Sequence, residues 1–394
     1  MKEVPPILAN YEALRTALET ERLTLHRLSD TPVEDVKVER RMLKKVISQI
    51  TDHRNRHRTF YSENGYDWMV NPSNYQNALE AMYQLWVVRV LTSAPRQGAA
   101  RQRFGNVAVR IMPSATASAE CVSNGGFGYI IISTAYIGLI KSYVLLNYSL
   151  FRFGKDIQGT PSRVTVFSSN FGGKEIERAL RSQDSKVLAM ITEFVQIVAD
   201  FTRYTTPTLP PTRIFDFYSD PHSRFGQFAH VFTAVEAYLI FHELAHLLEH
   251  SFVSQERSLA EELDADSHAV SMMINHASTN RVGPMDVFLG PVVGIQLFRV
   301  TDLIRRTFDA IENALLGNDS PLSQALEHEV ELAKRLDSLE HSMRCFDILR
   351  PGDSTYVDLR AETHLASVAC QGYLIGKLTN SDPFEHFARL LDTQ

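Results

Sequence analysis

The chain has 394 residues, a formal net charge of -6, 44% hydrophobic residues and 22% charged residues. That length allows one large or two ordinary domains with a sizeable core, and the mild acidity argues against nucleic acid as the main partner. Three cysteines at no regular spacing, Cys121, Cys345 and Cys370, suit reduced thiols in a cytosolic protein better than a disulfide framework.

The first residues, MKEVPPILANYEALRTALETERL, are charged and lack an apolar core, so they do not read as a signal peptide. Residues 7–95 are expected to be helical, because apolar positions recur at three- and four-residue spacing in ALRTALETERLTLHRL, VERRMLKKVISQI and NALEAMYQLWVVRVL. The densest basic run, Arg54 to Arg58, reads as a solvated helix face. A loop from Ser93 to Gly105 marks the expected boundary, with a helical N-terminal region over 1–95 and a second domain over 96–394.

The period then changes. NVAVRIMP (Asn106 to Pro113) and FGYIIIST (Phe127 to Thr134) read as strands, with Asn124-Gly125-Gly126 as the turn before the second. RVTVFSS (Arg163 to Ser169) is a third expected strand. No stretch of about 18 residues reads as a membrane span; the nearest, Ala135 to Phe151, carries Lys141 and Asn147 and reads as a buried helix. After Asp220-Pro221, an N-cap and N1 pair, the pattern is helical to the end. The expected class is α+β, predominantly helical.

The segment YLIFHELAHLLEH, Tyr238 to His250, sets His242, Glu243 and His246 into an apolar helix. Such groups are costly to bury without partners. Residues four apart share a helix face, so His242 and His246 can offer two imidazole nitrogens to one ion, and Glu243 can reach a water on it. This is the HExxH arrangement of zinc hydrolases. A catalytic zinc takes three protein ligands, and SLAEELDAD (Ser258 to Asp266) supplies the third. Ser258 and Glu261 form an S-x-x-E capping box, which gives Glu261 a structural task. Glu262 is left as the ligand, and Asp266, one turn on, is placed to accept from the outer nitrogen of a ligand histidine. The expectation is one Zn2+ per chain. His230, His250, His268 and His276 read as solvated positions.

HELAH followed after 15 residues by ELDAD resembles the gluzincin metallopeptidases, and within them the HExxH…ExxAD branch of HtpX-like and CAAX-prenyl-protease proteins. Phage-exclusion (Lit-like) and ImmA-like peptidases share the broader theme. The resemblance covers residues 227–277, with a softer likeness over Asn124 to Ile140. It implies a zincin-like domain with a small sheet and an active-site helix. It also implies that Phe127 to Thr134 is the edge strand of the cleft, with Tyr129, Ile130, Ile131, Ile132 and Ser133 pairing with an extended peptide. HtpX-like proteins are membrane-embedded and this chain shows no spanning helix by its sequence, so a soluble intracellular protein is the expected substrate. Tyr356, Arg360 and His364, in STYVDLRAETHL, are the expected oxyanion stabilisers. The expected function is a cytoplasmic zinc endopeptidase of narrow specificity with Glu243 as general base. The alternatives are a degenerate zincin-fold scaffold and a zinc aminopeptidase or amidohydrolase.

Overall fold

The structure is a computed structural model. It describes residues 4–21, 33–93, 106–112, 119–134, 136–144, 191, 229–249, 258–280, 287, 290–302 and 322–345. The labelled elements are α1 (Pro6–Glu21), α2 (Val33–Arg56), α3 (Arg58–Glu63), α4 (Ala78–Ser93), β1 (Val107–Met112), β2 (Ala119–Asn124), β3 (Phe127–Ser133), α5 (Ala229–Glu249), α6 (Leu259–Asn280) and α7 (Leu322–Cys345). The described chain is mostly helical with a small mixed sheet, the α+β class expected. It divides into two compact units. One comprises Met1–Gly138 and Leu209–Val287, the other Leu139–Thr208 and Phe288–Gln394.

The first unit is built on the sheet, whose strand order is β1-β3-β2. β1 runs parallel to β3, pairing Val107 with Gly128 and Met112 with Ser133. β2 runs antiparallel to β3, pairing Asn124 with Phe127. The two-residue turn between them puts Gly125 at φ 57° and Gly126 at φ 81°. A tight hairpin turn that matches strand twist needs positive φ at both positions, which glycine adopts without strain.

Side chains alternate across a strand, and β3 shows what each face receives. A Cβ on Gly128 would lie 3.4 Å from the Leu247 side chain, so this face is packed by α5. On the other face the Tyr129 hydroxyl donates within α1, 2.9 Å from Ile7 O and 2.8 Å from Asn10 Oδ1. The sheet is therefore the middle of three layers.

The outer edge of β1 is closed by side chains. Gln84 and Glu80 lie one turn apart on α4. Gln84 Oε1 accepts from Val109 N at 2.8 Å and its Nε2 donates to Val107 O at 3.0 Å. Glu80 Oε2 accepts from Ile111 N at 3.0 Å, and the Tyr66 hydroxyl accepts from Val107 N at 3.0 Å. These polar groups satisfy a row of strand amides that would otherwise solicit another strand. Arg110, buried on β1, bonds Glu80 and donates to Asn74 O at 3.0 Å, and its guanidinium sits 5.1 Å from the centre of the Tyr11 ring.

Two expectations are corrected here. Phe127–Ser133 is the central strand, not an edge. Tyr129, Ile130, Ile131 and Ile132 are buried with strand partners on both sides, so their backbone cannot also pair with a peptide, and Ser133 is buried and paired to Met112 of β1. Among the described residues β2, which the sequence reading missed, and β1 hold the edges. A stretch does also meet the length and composition of a membrane span: Val231–Glu249 in α5, whose window is 89% buried inside the protein. An all-round apolar helix is what a core position demands. The expected strand at Arg163–Ser169 lies outside the described residues.

His276, expected to be solvated, is instead buried on α6 with its ring 5.5 Å from both the Trp86 and Phe241 rings. Burial, and then the nearby Arg89 charge, lower its pKa from 6.5 to about 4. A depressed folded pKa means that the unfolded chain binds the extra proton first as pH falls. The stability contributed by neutral His276 is full above pH 6.5 and drains away between 6.5 and about 4. Over that window the loss is up to about 3 kcal/mol. Denaturant unfolding at pH 7 and pH 4.5 should show a smaller loss for His276→Phe than for the unsubstituted protein; equal losses would refute this.

In the second unit, residues 290–302 are helical and α7 presents Leu332, Leu336, Leu339 and Met343 as a buried stripe. The Arg335 guanidinium lies 5.9 Å from the Phe298 ring centre.

Candidate metal centre

α5 and α6 pack side by side. The start of α6 is set by the expected capping box. Ser258 N donates to Glu261 Oε2 at 2.8 Å, and Glu261 N donates back to Ser258 Oγ at 3.3 Å. With Glu261 turned to the helix end, the neighbouring residue in the first turn is Glu262, and its side chain meets both histidines of α5.

The geometry is compact. His242 Nε2 and His246 Nε2 are 3.1 Å apart. Glu262 Oε2 lies 3.2 Å from His242 Nε2, and Glu262 Oε1 lies 3.3 Å from His246 Nε2. Ligands at the usual zinc bond lengths on tetrahedral corners stand about 3.3–3.4 Å apart. The three donors thus already have nearly the spacing that one ion requires, and two nitrogens with one carboxylate are a donor set that zinc accepts. Both histidines are buried, whereas the Glu262 side chain is 19% exposed.

Asp266 stands behind the first histidine, with Oδ1 2.9 Å from His242 Nδ1, although the ring N–H is not squarely on that oxygen. The same oxygen accepts a hydrogen bond from the Tyr238 hydroxyl at 2.5 Å. Tyr238 was not singled out from the sequence; its place one turn before His242 was the available signal. Glu243 is buried beside the pair of histidines in sequence, at 5% exposure. Glu236, two turns before Glu243 on α5, is buried and accepts from the Tyr83 hydroxyl, which ties α5 to α4.

The remaining expectations fall as follows. His268 is partly exposed, 3.5 Å from Asp264. Cys121 is buried on β2. His250, Tyr356, Arg360, His364 and the side chain of His230 lie outside the described residues.

Residues 146–298 match the model of a peptidase family, Peptidase U49, which is Lit-like. The matched span includes both motif helices and supports a protease function. No curated protein and no solved structure matches the chain.

Proposed function

We propose that the chain is a zinc-dependent endopeptidase of narrow specificity acting on a soluble intracellular protein. The observation that carries this reading is the convergence of His242, His246 and Glu262, whose ligand atoms all lie within 4.8 Å of one another. The peptidase family match supports the same reading. Free thiols at Cys121 and Cys345 fit a reducing, cytoplasmic setting.

His242, His246 and Glu262 would hold the ion. When bound, zinc supplies Lewis-acid polarisation of a carbonyl and acidifies water. Glu243 accepts the proton of the attacking water as the new C–O bond forms. It then delivers that proton to the amine nitrogen as the C–N bond breaks. Asp266 holds the His242 ring, which leaves Nε2 as the ligand atom. Tyr356, Arg360 and His364 remain the proposed stabilisers of the oxyanion.

The peptide itself is proposed to lie along β2, which packs against α5 and, among the described residues, has a strand on one side only. Asn124 and Phe127 flank the tight turn and are a hydrogen-bonded pair, so by ladder alternation the amides of Ala119 and Ser123 point away from β3. Proline is tolerated at such outward positions of an edge strand. Ser123→Pro should therefore keep the fold and metal affinity and lower kcat/KM by about tenfold, the scale of one lost hydrogen bond. Unchanged kcat/KM would remove β2 from the substrate path.

The direct test of the whole reading is metal analysis beside a proteome-wide cleavage screen. The purified protein should carry about one zinc per chain, lose proteolysis on chelation and regain it with added zinc. Folded, zinc-supplied protein without metal would overturn it.

A further inference from the structure

We infer that Tyr238 is a positioning residue of the metal centre, acting through Asp266 on His242. The inference rests on the metal reading of the site. Asp266 on α6 bridges Tyr238 and His242, which stand one turn apart on α5. The hydroxyl donates to Asp266 Oδ1 at 2.5 Å, and that same oxygen is 2.9 Å from His242 Nδ1. Tyr238 has no exposed surface and Asp266 is 1% exposed, so water does not solvate the carboxylate in their place.

A buried carboxylate needs donors, and this one receives a charge-assisted hydrogen bond from a phenol. A carboxylate oxygen has two acceptor sites, so one oxygen can serve the hydroxyl and the imidazole together. With Tyr238 as donor, Asp266 stays an acceptor toward Nδ1. That fixes the His242 tautomer with its proton on Nδ1, and Nε2 keeps the lone pair that a metal needs. Tyr238 also sits four residues before His242 on the same helix, their ring centres 5.9 Å apart. The tyrosine is thus built into the helix that carries the ligand, while the carboxylate comes from the other. The hydroxyl sets the carboxylate's orientation between them.

The test is a zinc titration in competition with a chromogenic chelator, on the unsubstituted full chain, Tyr238→Phe, Asp266→Asn and the double variant. Cobalt(II) absorption spectra and thermal unfolding of the metal-free proteins are recorded beside it. Tyr238→Phe removes one oxygen and keeps the ring. It should weaken zinc binding about tenfold, the lower end of what outer partners contribute, and alter the cobalt spectrum. In the Asp266→Asn background it should have little further effect, because coupled residues are not additive. A merely structural tyrosine would lower the unfolding temperature and leave zinc affinity unchanged, or would weaken zinc equally in both backgrounds; either result overturns the inference. If the unsubstituted chain takes up no zinc, the metal reading itself has failed, and the inference with it.

Discussion

Glu243→Gln is expected to retain about one zinc per chain and an unchanged fold while losing peptide hydrolysis by about a hundredfold or more, the scale of lost general acid–base help. The residue is buried on α5, directly beside His242 in sequence. It does not belong to the group of converging ligand atoms, which is His242, His246 and Glu262. Glutamine keeps the size and most of the polarity and cannot take a proton. His242→Ala should differ, losing metal and activity together, since it removes both a donor and the group that Asp266 faces. The pair separates an enzyme from a scaffold on the same fold. If Glu243→Gln keeps its full effect in cells and still binds its partner, the peptidase reading is wrong.

The second large effect is on stability. Glu80→Ala is expected to cost about 3–5 kcal/mol, the scale for breaking a buried ion pair from one side. Burial raises the Glu80 pKa, while the Arg110 charge and the backbone N–H groups of Ile111 and Gln76 oppose that rise. Removing the carboxylate leaves Arg110 buried without its countercharge and takes the acceptor from Ile111 N. Glu80→Gln should cost less, because an amide oxygen can still accept from that backbone. Equal unfolding free energies for Glu80→Ala and the unsubstituted protein would show that the charge pair and the closed edge contribute nothing net.

What the sequence made legible was local. HELAH and the capping box depend on spacings of three and four residues within one helix, and helix geometry converts these directly into shared faces. Removing Glu261 from contention left Glu262, and the structure brings Glu262 to both histidines. Asp266 followed by the same logic. What was illegible depends on distant chain. β3 read as an edge because strand order is a tertiary property, and its neighbour β2 hides in AECVSN, where Glu120, Ser123 and Asn124 mask the alternation. Glu80 and Gln84 stand four apart in an apolar helix, and only the folded sheet shows that this spacing matches alternate amides of β1. His276 could not be seen as buried because Trp86 and Phe241, which enclose it, belong to two other helices.

The packing of α5 on the Gly128 face has a consequence for synthesis. β3 ends at Ser133 and α5 begins at Ala229, so roughly a hundred residues are translated between them. At the usual elongation rate of about 5–20 residues per second, that is on the order of 5–20 seconds. Through this interval α1 and α4 already exist to cover one face of the sheet and the outer edge of β1. The opposite face, with Gly128, Ile130 and Ile132 of β3, waits for Leu247 and its helix. Until α5 is made, the Gly128 face of β3 lacks the helix that packs on it. The protease cannot act during that time, because every residue of its proposed metal centre is made afterwards.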